Sequence, residues 1–338
     1  MTDKAHIMTD KEIERMERHL SVIYRRAEKA ISAEMAAYVK TIKGKADKLL
    51  KAYNEAETEA DKKAAKMAYI RFYTLDVKRE ARFKKLQQDA AETLYSANKE
   101  AARYINSKTA NIYAINYNQE GHGIENDTGK EYKFKPVTVE EAEEYGQITM
   151  QTVDKKKDTK WNADNIVKAV VAGAVLMEAA DKVFGGASKR TTQKNRDSAY
   201  RQASDTATDA ESKGRLDSMY RASDEGFHVQ KIWIATLDNR TRDTHIDYDG
   251  MPPLELDDEY NTGLKKPRDR HCPIMAEVCN CRCRIQHTMG KAQGGVRAAR
   301  EGDVKGSYKK AASYKGTKTI KVPDMSYEEW MKWRSQSN

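Results

Sequence analysis

Cysteine is scarce in this chain, and it is confined. The 338 residues contain four, Cys272, Cys279, Cys281 and Cys283, all within twelve positions. That spacing in a reducing compartment points to thiols or metal ligands before disulfides. A long apolar run is also missing. The longest, Ile166–Met177, is interrupted by Lys168 and is too short to span a bilayer, so it reads as a buried helix. The opening MTDKAHIMTDKEIERME lacks the apolar core of a signal peptide, and the expected site of synthesis and residence is the cytoplasm. Proline is sparse too, with five of its six copies in or after residues 232–285. Apolar residues make up 39% and charged residues 33%, with mean hydropathy −0.88. That is lean for one large globule. It suits an elongated helical part attached to a modest compact domain.

What is abundant is charge. Sixty-one Lys and Arg against 52 Asp and Glu give a net charge of +9 and a pI of about 9.1. An excess of this sign fits an acidic partner, with DNA and acidic protein surfaces fitting equally, and it also fits a solvated surface.

Residues 1–115 read as a helical region. Thr9 and Glu12 have capping-box spacing ahead of an apolar stripe through Ile13, Met16, Leu20, Ile23, Ala27, Ile31, Met35, Tyr38 and Ile42. Gly44 is a plausible break. A second pattern runs from Leu49 to Ile70 and a third from Leu75 to Ile105. Stripes this narrow and alanine-rich suit antiparallel helical hairpins or subunit packing. Residues 116–136 are turn-rich and read as a linker.

Residues 137–228 form a second helical block. Thr138 and Glu141 repeat the capping-box spacing, and Gly185-Gly186 reads as the end of the apolar helix. One helix is then expected over about 189–212 and another over about 215–224. Lys189, Arg190, Lys194, Arg196 and Arg201 make the first of these basic, a candidate phosphate-facing surface. It lacks aromatic interleaving of the kind used to stack bases, so sequence-specific recognition is not indicated.

The period changes in residues 229–289. HVQKIWIATLD alternates like a strand, and VCNCRCRIQHT alternates again, with Cys279, Cys281, Cys283 and Ile285 on one face. The two read as paired strands joined through the polar turn DNRTRD and a proline-bounded loop. Residues 290–318 read as a flexible basic linker. Thr319–Val322 could be a short strand, and SYEEWMKWR a short helix with Trp330 and Trp333 placed to dock.

The ordered set WIATLDNRTRDTHIDYDG, a proline- and acid-containing loop and AEVCNCRC resembles the signature of the Mu F-like head morphogenesis family. These are the minor head proteins of tailed bacteriophages. The residues that carry the resemblance are Trp233, Asp238, Arg240, Thr241, Arg242, His245, Asp249, Gly250, Asn280, Cys281, Arg282 and Cys283. It covers roughly residues 160–334. Two departures stand out. The loop before Asn280 reads KKPRDRHCPIMAE where the family has Gly-Asp-Pro-like residues, and Cys279 occupies a position that is often aromatic. The resemblance implies structural work: a few copies in the head near the portal, assisting head assembly or the handling and delivery of DNA.

Three chemistries compete for the motif. The first is one structural zinc ion held by a selection of Cys272, Cys279, Cys281, Cys283 and His245, with His271 also near in sequence; cysteines alternating along a strand would equally form a small core. The second is a metal-dependent nuclease or toxin-like effector using His245, Asp247 and Asp249 or the cysteines, although its further histidine or asparagine partners are missing. The third is a hydrogen-bonded turn in which Arg240 and Arg242 pair with Asp238, Asp243 or Asp247. The expected fold is α+β, with an elongated, mostly helical N-terminal region before a smaller domain holding a short antiparallel sheet. The expected protein is a structural, non-enzymatic component of the virion, in the head interior after assembly in host cytoplasm. Its expected partners are portal and capsid or scaffold proteins and double-stranded DNA bound non-specifically, with no membrane during assembly.

Overall fold

The computed structural model describes residues 3–145, 150–238, 240–290, 296–300, 319–323 and 325–336. The helices α1 (Lys4–Asn54), α2 (Glu59–Arg71), α3 (Ala81–Asp127), α4 (Val139–Tyr145), α5 (Lys155–Val175) and α6 (Ala180–Asp224) come first, with a π-helical segment, Phe72–Val77, between α2 and α3. An α+β part follows: β1 (Gln230–Ile234), α7 (Asp243–Tyr248), β2 (Leu254–Glu255), α8 (Met275–Val278), β3 (Arg284–Thr288), β4 (Val296–Arg300), β5 (Thr319–Pro323) and α9 (Tyr327–Gln336). A mostly helical N-terminal region before a small α+β part is therefore the fold, as expected. No described helix is long and apolar enough to cross a membrane.

Two compact units share the chain. One comprises Arg18–Arg103 and Thr152–Ala199; the other comprises Met1–Glu17, Tyr104–Gln151 and Tyr200–Asn338. Each of the long helices α1, α3 and α6 contributes residues to both, which is why boundaries read in sequence order do not coincide with the units.

The all-helical unit buries the expected stripe of α1, from Ile31 to Ala46, against Tyr69, Phe72, Tyr73, Phe83, Leu94, Ile166, Val170 and Phe184. Phe184 lies at the middle, with ring centroids 5.3 Å from Tyr38 and 6.0 Å from Phe83. An amide ladder runs beside this core: Asn195 Nδ2 donates to Asn162 Oδ1 at 2.7 Å, and Asn98 Nδ2 to Asn195 Oδ1 at 2.7 Å.

Several local expectations are corrected. Gly44 does not end α1. A Cβ there would meet nothing within 4 Å, and an exposed glycine inside a helix costs only about 1 kcal/mol against alanine. Thr9 lies inside α1, its hydroxyl donating to Ala5 O at 3.2 Å. The cap is Asp3, whose carboxylate accepts from the His6 N–H at 2.9 Å. The box at Thr138 and Glu141 forms in both directions, at 3.2 and 2.7 Å. Residues 116–127, read as linker, continue α3. The apolar helix ends at Val175, before Gly185-Gly186, and α6 runs unbroken through both those glycines and Gly214. Gly214 is there for proximity: a Cβ would lie 2.5 Å from Tyr113 O on α3.

In the other unit β1 is the middle strand, antiparallel to both β2 and β3, with Trp233 opposite Ile285 and Ile234 opposite Arg284. Its core gathers Ile124, Tyr132, Leu216, Met219, Val229, Trp233, Tyr248, Tyr260, Leu264 and Ile285. Part of the stretch read as a basic linker is β4, paired antiparallel with β5; residues 291–295 and 301–318 lie outside the described residues. The C-terminal helix docks on its own unit, where Trp330 is buried with Tyr327 and Leu237.

An ionic network also lies inside this unit. Arg215, 1% exposed, holds Asp3 (2.8 Å), Glu120 (3.0 Å) and Glu211 (3.3 Å). Arg284 adds a second contact to Asp3 at 2.6 Å. His6 faces Glu211 at 2.9 Å, and His287 faces Glu120 at 2.7 Å and Asp127 at 3.3 Å. Asp10 also acts on His6, so carboxylates outnumber the two arginines and favour charged imidazoles. Burial alone would oppose that, but the carboxylates win, and both histidines are pushed above their ordinary value.

Candidate functional site

Between the end of β1 and the start of β3, the chain makes two loops that are fastened to each other by side chains. Asp238, 2% exposed, accepts from both terminal nitrogens of Arg282, one at 2.9 Å, and from the Arg240 N–H at 2.9 Å. Burial would raise its pKa, but the Arg282 guanidinium more than offsets this and holds the carboxyl below the usual range. Thr241 Oγ1 donates to Thr236 O, and Arg242 donates to Cys279 O across to the second loop. Asp249 takes the Ala235 N–H on one oxygen at 3.0 Å and the Tyr327 N–H on the other at 2.7 Å. It thus ties β1 to the C-terminal helix. Gly250 follows with φ of +97°, a conformation that a side chain would strain, which accounts for the Asp-Gly step.

The second loop departs from the expected strand. Asn280 has φ of +56°, in the left-handed region that asparagine tolerates better than most residues. That turn interrupts the alternation, so β3 begins only at Arg284. Cys279 is exposed, while Cys281 and Cys283 are buried. Arg268 braces the loop from within, Nε donating to Cys281 O at 3.1 Å and Nη1 to Val278 O at 2.9 Å. Nothing in the pattern of KKPRDRHCPIMAE marks Arg268 for this work.

His245 lies under Trp233, their ring centroids 5.0 Å apart and edge-on. Its Nδ1 is 3.6 Å from both Cys281 Sγ and Cys283 Sγ. These three donor atoms lie within 4.8 Å of one another and all three residues are buried. On the other side of the ring, Nε2 is 3.0 Å from Glu277 Oε2, off the line of a good hydrogen bond, and Thr244 Oγ1 donates to that same oxygen at 2.8 Å. Burial pushes the Cys281 thiol up, but the neighbouring Cys283 thiol and the Arg268 guanidinium bring it down to about 7; Cys283 is pushed the other way.

Of the candidate metal set, then, the fold assembles His245, Cys281 and Cys283. Cys272 is elsewhere, its thiol donating to Thr262 O at 3.2 Å, and Cys279 and His271 face solvent. The carboxylate version of the nuclease set, His245 with Asp247 and Asp249, is not assembled among the described residues: Asp249 accepts from two backbone N–H groups and Asp247 is exposed. Glu277 and Thr244 escaped notice, because their value depends on α8 facing α7.

Residues 149–286 match the model of the phage Mu protein F like protein family. Over this segment the chain is similar to that family. It is also 25% identical over 331 residues to the Minor head protein GP7 of Bacillus phage SPP1, covering 96% of this chain and 98% of the relative. No solved structure matches. The Mu F-like segment takes in α5, α6 and the interlocked loops, so the family region includes both the helical lead-in and the motif.

The basic residues on α6 are placed differently. Lys189, Arg190, Lys194 and Arg201 are exposed, and Arg196 is half-buried. Lys194 Nζ donates to Asn165 Oδ1 at 2.9 Å, Arg190 is 4.0 Å from Glu178, and Arg196 is 3.5 Å from Asp197.

Proposed function

We propose that this protein is a structural, non-enzymatic minor head component of a tailed phage. In this reading it joins the head by binding portal and capsid or scaffold proteins, contacts double-stranded DNA without sequence preference, and resides in the head interior after assembly in host cytoplasm. The observation that carries the reading is the match to a minor head protein along nearly the full length of both chains. The chemistry of the motif agrees with it. Asp238, Arg242, Asp249 and Arg282 are engaged in holding loops and the C-terminal helix, which is scaffolding work. DNA contact rests on the net charge of +9 and on the exposed cations of α6.

Two measurements test it. Co-expression with the portal and capsid proteins of the same phage should place the chain in purified heads, and its exclusion from them would refute the assembly role. For DNA, a variant with glutamine at Lys189, Arg190, Lys194, Arg196 and Arg201 should bind plasmid more weakly. If each residue meets one phosphate, the slope of log affinity against log salt should fall by up to about 4.5. An unchanged slope would remove DNA binding from this surface.

A further inference from the structure

We propose that His245, Cys281 and Cys283 together hold one zinc ion that staples α7 to the loop leading into β3. A tetrahedral zinc with Zn–S of about 2.3 Å and Zn–N of about 2.0–2.1 Å sets adjacent sulfur and nitrogen donors about 3.6 Å apart. The two separations here are both 3.6 Å.

The surroundings suit a metal better than simple packing. A buried imidazole facing two thiols gains only weak S–H hydrogen bonds, since sulfur is a poor donor and acceptor. An ion between two thiolates and a neutral imidazole balances their charges inside the core, where unpaired charge is costly. Metal-bound histidines commonly present their second ring nitrogen to a carboxylate, which fixes the tautomer and the ring's orientation. Glu277 lies against Nε2 at 3.0 Å and is itself fixed by Thr244, leaving Nδ1 toward the sulfurs. The Asn280 turn is what brings Cys281 and Cys283 around the imidazole. Three protein donors leave a fourth coordination place, the arrangement of sites that also take a solvent molecule or a further ligand. Zinc loading depends on none of the partner or DNA contacts of the assembly role, so either proposal can fail alone.

The test is metal content of the full-length protein, purified without chelators, loaded with excess zinc and desalted. About one zinc per chain is expected by elemental mass spectrometry for the wild type and for Cys272→Ser. The double variant Cys281→Ser/Cys283→Ser should lose most of it. A wild type that stays well below stoichiometric, or a double variant that loads fully, overturns the proposal. Because the variants could misfold, cobalt loading of the wild type gives a second readout. Thiolate-to-cobalt charge-transfer absorption with tetrahedral visible bands is expected; cobalt binding without thiolate bands also overturns it.

Discussion

In the unit formed by Arg18–Arg103 and Thr152–Ala199, six helical segments meet around Phe184 and a cluster of tyrosines and aliphatic side chains. In the unit that carries the Mu F-like motif, an aromatic core around Trp233 shares the interior with charged and thiol groups: the Arg215 network, the Asp238–Arg282 pair and the His245 cluster. The difference teaches where each unit draws its specificity. Apolar burial is strong but non-directional, so helices held by it need only the right stripe and volume. Buried charges demand particular partners at particular distances, and they fasten segments that have little regular structure of their own.

The comparison breaks most sharply at Arg215. Replacing it with alanine leaves Asp3, Glu120 and Glu211 in the interior without their shared cation, and losing one partner of a buried pair costs about 3–5 kcal/mol. A large fall in the urea midpoint is expected, and an unchanged midpoint would mean the network contributes little. Phe184→Ala attacks the other unit and is expected to cost about 3–4 kcal/mol through lost transfer energy and a residual cavity. Circular dichroism melts would read both effects, and a Phe184→Leu control should recover much of the second.

Acidity sharpens the contrast, because titratable pairs are buried mainly in the motif unit. His6 faces Glu211, Asp3, Asp10 and Arg284, and His287 faces Glu120 and Asp127; both histidines lie above 6.5 when folded. The folded state therefore holds protons that the unfolded chain releases. Their contribution is fully present below about pH 6.5 and is lost as pH rises through the raised folded values. Glu120 and Asp3 are depressed, so their contribution is present above the ordinary carboxylate range and is lost on acidification. The contribution of these four groups should thus be greatest in mildly acidic solution and decline as pH rises above the ordinary imidazole value. The double variant His6→Gln/His287→Gln should flatten the alkaline decline; a wild type whose stability climbs through that range would contradict the network. The smallest effect is expected at Gly44, where alanine should raise the thermal midpoint slightly, with up to about 1 kcal/mol of gain. A loss of stability there would show that the helix needs glycine.

The apolar stripe of α1 was legible because a helix repeats its geometry, so Ile31, Met35 and Tyr38 fall on one face wherever the partner lies. The pairing of β1 with β3 was legible for the same reason. The glycines misled because the sequence does not say whether a glycine marks a break or a close approach. Gly214 is settled by Tyr113 O, a residue on another helix. The cysteine set was only half legible: alternation placed Cys279 with Cys281 and Cys283, but the left-handed turn at Asn280 separates it from them.

By itself, then, the sequence determined the helical periods, the two strands, the capping box at Thr138 and the ordered motif that marks a Mu F-like segment. These depend on neighbours along the chain. Tertiary structure alone decided that Asp249 would hold Tyr327, that Glu277 would face His245, and that Asp3 would pair with Arg215 and Arg284. Those contacts join residues up to hundreds of positions apart, and a buried charge or polar group finds its partner only once the backbone has brought the two together.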